Sequence, residues 1–343
     1  MKKAIDAFLD EHIVGKRLPI VVSLDLDNTL VIRDKGSNYI NKKVKAIIKS
    51  LVSDKLIILL PNTGRDLLGF SAFSRSFLNL RNAVLYSGGL IVHNSKKYIN
   101  KNSIIDRVAL RHLLKGVESG QLPFVDLSYP KGRIVYYNDH ALDYRDLFFA
   151  QNPRDWFKGG QLPPIRNIRR LSDKGLREVL RVEFPVIRSW VGHRLLFERL
   201  TAKTEHNISQ LGRLLGVRGN DIFRNYSLKR KVFFSDKYDK HDLIFARLSK
   251  LTTFVNKGIG LKEWLARAKI SSSNHIILHI GDTDAGLIND TLIKQDVPDA
   301  LLIMVGKKCS LNNPQVDLYL HEDAEMALVS FFDELYKKIN QRK

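Results

Sequence analysis

The chain has 343 residues, a hydrophobic fraction of 44% and a formal net charge of +20. That length is long for one core, so it implies one large domain carrying an insertion, or two domains. The single Cys309 excludes an internal disulfide and a multi-thiolate metal site and suits a cytoplasmic protein, while no apolar run is long enough to cross a bilayer.

In chain order, Met1-Lys2-Lys3 is basic, but residues 4–14 carry Asp6, Asp10, Glu11 and His12. They predict a short amphipathic helix laid against the first strand, not a signal-peptide core. Residues 19–24 are almost all apolar, the pattern of a buried parallel strand. Val44, Ile47, Ile48 and Leu51 recur at helical spacing; residues 55–60 predict a second strand and 83–86 a third. Residues 92–250 read differently. They hold most of the prolines, including Pro163-Pro164, and arginines interrupt their apolar stretches, as over 181–197. They also carry 31 Lys and Arg against 16 Asp and Glu. Beyond them, Leu261, Trp264, Leu265 and Ala268 mark a helix, and residues 275–280, 300–305 and 316–320 predict strands. Ala324, Leu328, Phe331 and Leu335 mark a closing helix. Strands alternating with helices at both ends imply an α/β fold, a doubly wound parallel sheet built from residues 1–91 and 251–343. Residues 92–250 form an inserted α+β domain in this reading.

Four short motifs sit at the ends of these strands or the start of a helix. Asp25-Leu26-Asp27-Asn28-Thr29 follows the first strand directly, where parallel α/β sheets bind ligands. Two carboxylates two residues apart can face one site and suit a hard cation such as Mg²⁺, or they form a turn or helix cap. Asn62-Thr63-Gly64-Arg65 follows the second strand; its hydroxyl and backbone N–H groups can bond a phosphoryl oxygen, or Thr63 simply caps a helix. Lys257-Gly258 leads a helix and offers an ammonium to developing charge. Gly281-Asp282-Thr283-Asp284 puts a further carboxylate at a strand's carboxyl end.

Taken together and in this order, the motifs resemble those of the haloacid dehalogenase superfamily of phosphotransferases. Asp25-Leu26-Asp27-Asn28-Thr29-Leu30 is similar to its first motif, and Thr63 falls at its second. Thr63-Gly64-Arg65 and Lys257-Gly258-Ile259-Gly260-Leu261 resemble forms in its Cof-type and sugar-phosphatase branch. Ser87-Gly88-Gly89 stands where that branch has Asn-Gly-Ala before a cap domain. The resemblance implies a Mg²⁺-dependent phosphomonoesterase with Asp25 as nucleophile and Asp27 as general acid and base. It implies a metal held by Asp25, the Asp27 carbonyl and Asp282, and phosphate bound by Asn28, Thr63, Gly64 and Lys257. Arg65 would touch the substrate, a sugar phosphate or similar small phosphorylated metabolite, and the cap would close over it.

One departure stands out. The superfamily places a second acid four or five residues after Asp282, where this chain has Gly286 and Leu287. A helix starting near Ala285 puts Asp284 at its N-cap and Asp290 about 9 Å along the axis, out of reach of the metal. Asp284 is therefore the expected substitute ligand. His275 and His279 lie on a predicted strand and are expected to pack; Tyr129, Tyr136, Tyr137, Tyr144 and Trp156 cluster in the insertion, where they can stack on a sugar or base, and most are expected in its core. The basic middle section leaves nucleic acid as an alternative partner. The missing acid leaves a regulatory protein with a weakened site as another. The sequence is silent on oligomeric state.

Overall fold

The computed structural model describes residues 1–34, 37–105, 107–118, 124–137, 165–186, 190–191, 194–195, 226–233, 246–253, 255–282, 290–306 and 313–341. From the amino terminus come α1 (Lys2–Leu9), β1 (Ile20–Leu24), the hairpin β2 (Ile32–Asp34) and β3 (Ser37–Tyr39), α2 (Lys42–Ser53) and β4 (Ile57–Pro61). Next are α3 (Leu67–Phe77), then the meander β5 (Ala83–Leu85), β6 (Leu90–His93) and β7 (Lys96–Ile99). The middle of the chain contributes α4 (Arg107–Glu118), β8 (Phe124–Tyr129), β9 (Gly132–Tyr137), β10 (Ile165–Asn167) and β11 (Arg181–Val186). It also supplies β12 (Trp190–Val191), β13 (Arg194–Leu195), β14 (Tyr226–Phe233) and β15 (Ala246–Thr253). The chain closes with α5 (Lys257–Ala268), β16 (Ile276–Gly281), α6 (Ile293–Asp296), β17 (Leu301–Val305), β18 (Leu318–Leu320) and α7 (Ala324–Asn340). Among the described residues no helix is long and apolar enough to cross a membrane.

Two compact units emerge. The first comprises Met1–Arg65, Phe73–Asn100 and Val255–Lys343; the second comprises Asp66–Ala72 and Lys101–Phe254. The first joins the two ends of the chain. Its junctions differ from the composition shift. Residues 92–100 stay in the first unit because β6 and β7 complete an antiparallel meander with β5.

The sheet of the first unit runs in the order β18-β17-β16-β1-β4, and every pair in it is parallel. The two central strands are the apolar runs: every residue of β1 and of β16 is buried, as strands covered on both faces must be. One layer is led by α5, whose Leu261, Trp264 and Leu265 pack with Val21, Leu60, Val84 and Ile277. Trp264 is 1% exposed, and truncating such an aromatic to Ala typically costs about 3–5 kcal/mol. Elsewhere α7 packs on α2 and α1. The principal contacts of α1 are with α7 and the edge strand β18, not with the first strand as its pattern suggested.

Helix starts follow side-chain chemistry. Asn41 caps α2 by accepting the Lys43 and Val44 N–H groups, and Asn256 caps α5 by accepting that of Ile259. Gly260 lets α5 sink onto the turn at Tyr86–Gly88; a Cβ there would lie 2.6 Å from the Gly88 Cα and 2.4 Å from Val84 Cγ1. This close approach seats Lys257, the first residue of α5, beside the end of β1.

The second unit holds a sheet in the order β10-β9-β8-β11-β15-β14, antiparallel except for β10 on β9. It is the α+β body expected of the middle section. Its core gathers Leu110, Leu114 and Val117 of α4 with Val125, Leu127, Tyr136 and Val182. Tyr136 is thus a core residue, and Tyr129 packs at the core's edge, its hydroxyl donating to the Gly175 carbonyl at 2.7 Å. Tyr144 and Trp156 lie outside the described residues, as does the Tyr137 side chain. Asp66 is buried here: it accepts from Arg133 at 3.3 Å and from Arg181 at 3.1 Å, and Arg133 also pairs with the buried Asp126.

Candidate active site

Asp25 is the first residue beyond β1, and it is buried. Its backbone N–H still follows the sheet, donating to the Ile280 carbonyl at 2.9 Å. The chain then turns tightly: Asn28 adopts φ 62°, a left-handed conformation in which Asn is enriched, and donates its N–H to the Val31 carbonyl at 3.0 Å. That N–H is therefore committed within the turn. Asp27, on the same turn, is more open, its side chain 42% exposed.

Thr63 and Gly64 lie beyond the end of β4, in a loop pinned to the neighbouring turn. Ser87 donates its N–H to the Thr63 carbonyl and Tyr86 to that of Arg65, each at 3.0 Å. Thr63 is buried, and its hydroxyl oxygen accepts the Arg65 N–H at 3.2 Å. The Arg65 guanidinium grips Asp27, Nε to Oδ2 at 3.0 Å and a terminal nitrogen to Oδ1 at 2.6 Å.

Lys257 reaches from α5 to the end of β1. Its Nζ lies 2.9 Å from Asp25 Oδ1 and 2.5 Å from Asp290 Oδ1. Asp282 follows β16 directly, and Thr29 Oγ1 donates to its Oδ1 at 3.4 Å. Asp25, Asp282 and Asp290 each offer a carboxylate oxygen, and these oxygens lie within 4.8 Å of one another.

The position of Asp290 corrects the sequence reading. A continuous helix from Ala285 would carry it away from the metal, yet its carboxylate joins those of Asp25 and Asp282. It opens a 3-10 turn, Asp290–Leu292, that leads into α6. Residues 283–289, with Asp284, Gly286 and Leu287, lie outside the described residues. The approach is close: a Cβ on Gly281 would sit 2.3 Å from Asp290 Oδ2, so only glycine fits there. An Asn-Asp pair at 289–290 ahead of an apolar turn was the available signal, eight residues past Asp282.

His279 was also underread. It does pack in the sheet, 0% exposed, but both ring nitrogens are engaged: Nδ1 with Ser23 Oγ at 3.0 Å and Nε2 with Asp290 Oδ1 at 3.1 Å. Ser23 and His279 are register partners on β1 and β16. Asn62, just past β4, donates from Nδ2 to Ser23 Oγ at 3.2 Å and to the Lys257 carbonyl at 3.1 Å. Ser23 and His279 each interrupt an apolar run near its carboxyl end, and Asn62 directly follows one, a signal visible in the sequence.

The electrostatics follow from burial and charge. Burial pushes the Asp25 carboxyl up to about 7; Lys257 opposes the rise, and Asp290 and Asp282 add to it. Burial would also raise Asp290, but Lys257 and His279 outweigh it and hold that carboxyl well below its usual range. Burial would lower the Lys257 ammonium, which Asp25 and Asp290 instead hold above its usual range. Burial lowers the His279 imidazole and favours its neutral form.

Comparison with known proteins places this geometry. The family model of haloacid dehalogenase-like hydrolases matches residues 22–160. No curated protein matches the chain in sequence. Among solved structures, a hypothetical protein from Geobacillus kaustophilus HTA426 superposes with a TM-score of 0.60 at 12% identity, covering 92% of this chain and 98% of its own. TM0651 from Thermotoga maritima gives a TM-score of 0.58 at 14% identity, covering 92% and 97%. The subclass IIB sugar phosphatase BT4131 gives 0.56 at 10% identity, covering 92% and 98%. At these identities the likeness is one of fold.

Proposed function

We propose that this chain, a haloacid dehalogenase-like hydrolase, is a Mg²⁺-dependent phosphomonoesterase that works through an aspartyl-phosphate on Asp25. The observation that carries the reading is the trio of Asp25, Asp282 and Asp290 oxygens within 4.8 Å, with Lys257 against Asp25, at the carboxyl edge of a parallel sheet. An all-carboxylate set of hard oxygen donors fits Mg²⁺. Asp25, Asp282 and Asp290 would hold it through side chains, and by family resemblance Asp27 through its carbonyl. The bound cation would offset the repulsion between the Asp25 carboxylate and an incoming phosphate.

The chain's own residues then divide the work. An Asp25 oxygen forms a bond to phosphorus as the phosphorus–ester oxygen bond breaks, and protonated Asp27 gives its proton to the departing oxygen. Water next attacks phosphorus, Asp27 takes a proton from that water, and the phosphorus–Asp25 bond breaks to release phosphate. The hydroxyl of Thr63 and the ammonium of Lys257 steady the phosphoryl oxygens, since positioning and charge carry most of such a transfer.

A small phosphorylated metabolite such as a sugar phosphate is the proposed substrate, in line with the sugar phosphatase among the structural neighbours. The second unit is proposed as the specificity cap. Arg107, Arg111 and Lys115 form an exposed stripe on α4, with Arg169 and Arg170 exposed nearby in the chain's fold, and they favour an anionic ester. The same charge supports nucleic-acid binding as the second reading, marked by a steep loss of affinity with added salt. A screen of phosphorylated metabolites with Mg²⁺, using Asp25→Asn as the blank, decides the first. Turnover confined to the wild-type protein supports it, and no turnover across small esters counts against it.

A further inference from the structure

We propose that His279 is a positioning residue for this site, a neutral imidazole with its proton on Nε2 that orients Asp290 from inside the sheet. The inference rests on the phosphatase reading above. Its support is a ring of hydrogen bonds with only one consistent direction for a neutral imidazole. Asp290, ionised beside Lys257, can only accept, so His279 Nε2 must donate to it. Nδ1 then has a lone pair and must accept, so Ser23 donates its hydroxyl proton to it. With that proton committed, Ser23 Oγ accepts from Asn62 Nδ2, as the geometry has it.

Asn62 closes the ring. Its amide also donates to the Lys257 carbonyl, so turning the amide over would set its oxygen against another oxygen. The cost of this orientation is visible, because Asn62 Oδ1 is buried and finds no partner. The ring thus runs from the Lys257 backbone through Asn62, Ser23 and His279 to Asp290, and returns through Lys257 Nζ.

Three adjacent strands contribute to it: β4 through the residue after it, β1 through Ser23 and β16 through His279. An imidazole here costs apolar packing and a buried polar group needs its partners. Its placement under Asp290 accounts for both. Asp290 opens a short 3-10 turn and does not directly follow a strand, and the imidazole restrains its carboxylate. Such outer hydrogen bonds typically set metal affinity by about 10–100-fold.

The test reads metal binding and tautomer apart from turnover. Nitrogen-15 NMR of the wild-type protein, with the His279 signal assigned by its loss in His279→Gln, should show the Nε2–H tautomer. Mn²⁺ binding followed by electron paramagnetic resonance should weaken about 10-fold or more in His279→Phe. It should recover largely in His279→Gln, which keeps a donor toward Asp290. The Phe variant should lose kcat while KM for the ester stays near wild type. If His279→Phe fails to fold, Ser23→Ala removes the hydroxyl that donates to Nδ1 and accepts from Asn62, and should still weaken Mn²⁺ binding. An Nδ1–H tautomer, or Mn²⁺ binding as tight as wild type in whichever of these two variants folds, overturns the assignment. Wild-type protein that binds Mn²⁺ yet hydrolyses no ester overturns the phosphatase reading alone.

Discussion

Arg65 holds both side-chain oxygens of Asp27 in one planar fork, at 3.0 and 2.6 Å. The guanidinium is itself fixed, 9% exposed at its side chain and lying 5.9 Å from the Phe73 ring centre. The fork orients Asp27 and leaves each oxygen a second lone pair, on a side chain that stays 42% exposed. Arg65 thus positions Asp27 in this structure.

The fork leads to a leaving-group test. Asp27→Asn should slow esters with poor leaving groups far more than an activated aryl phosphate, which departs without a proton. Arg65→Lys keeps the charge but not the two parallel bonds, and should lower turnover by about 10–100-fold. Steady-state rates on an alkyl and an aryl ester check both. Equal losses on the two esters in Asp27→Asn would count against the proton role.

Asp25→Asn preserves shape and removes the attacking charge. Turnover should fall by at least about 10³-fold with the fold intact by circular dichroism. A fluoroberyllate mimic of the phosphorylated state should bind the wild-type protein only when Mg²⁺ is present, and should not bind the variant. Tight binding to the variant would sink the covalent mechanism.

The metal trio makes a third prediction, opposite to what helical spacing suggests for Asp290. Asp282→Asn and Asp290→Asn should each raise the Mg²⁺ concentration needed for half-maximal activity by at least about 10-fold. Gly281→Ala should resemble Asp290→Asn, because the added Cβ meets the Asp290 carboxylate. A Mg²⁺ titration of the three variants settles the matter; an Asp290→Asn protein with a wild-type midpoint removes Asp290 from the metal site.

Burial raises the Asp25 carboxyl from 3.8 to about 7 in the folded, ion-free protein. A raised folded-state value contributes stability that is present below the unfolded value and lost as pH climbs through the folded one. Asp25 therefore destabilises the ion-free protein progressively between about pH 4 and pH 7. His279, lowered by burial, opposes this below its unfolded value, so comparison with Asp25→Asn isolates the effect. The variant should gain stability relative to wild type across that window. Added Mg²⁺ should raise the melting temperature of wild type more near pH 8 than near pH 5, since it competes with a proton. Thermal melts at both pH values, with and without Mg²⁺, check each sign.

In the second unit, Asp66→Ala would leave Arg133 and Arg181 buried without their shared carboxylate. Removing one partner of a buried pair typically costs about 3–5 kcal/mol. Urea unfolding should show a loss of that order. A loss within experimental error would mean that the arginines find other partners at little cost.

The sequence by itself determined the parallel sheet and most of the residues along its edge. An apolar run of five or six residues has to be buried as a central strand, and a polar residue directly after it is left at the strand's carboxyl end. Asp25 and Asp282 are placed by that rule alone, Thr63 one residue beyond it, and Lys257 nearly so, because Asn256 caps the helix it begins. Only the tertiary structure showed which partners Asp290, His279 and Arg65 meet. No periodicity says where the chain goes after Asp282, so the spacing of Asp282 and Asp290 in sequence did not give the distance between their carboxylates. A histidine on an apolar strand looks like packing until the carboxylate above it is known. Arg65 and Asp27, 38 positions apart, meet only because β4 lies beside β1 in the sheet and brings their two loops to one edge.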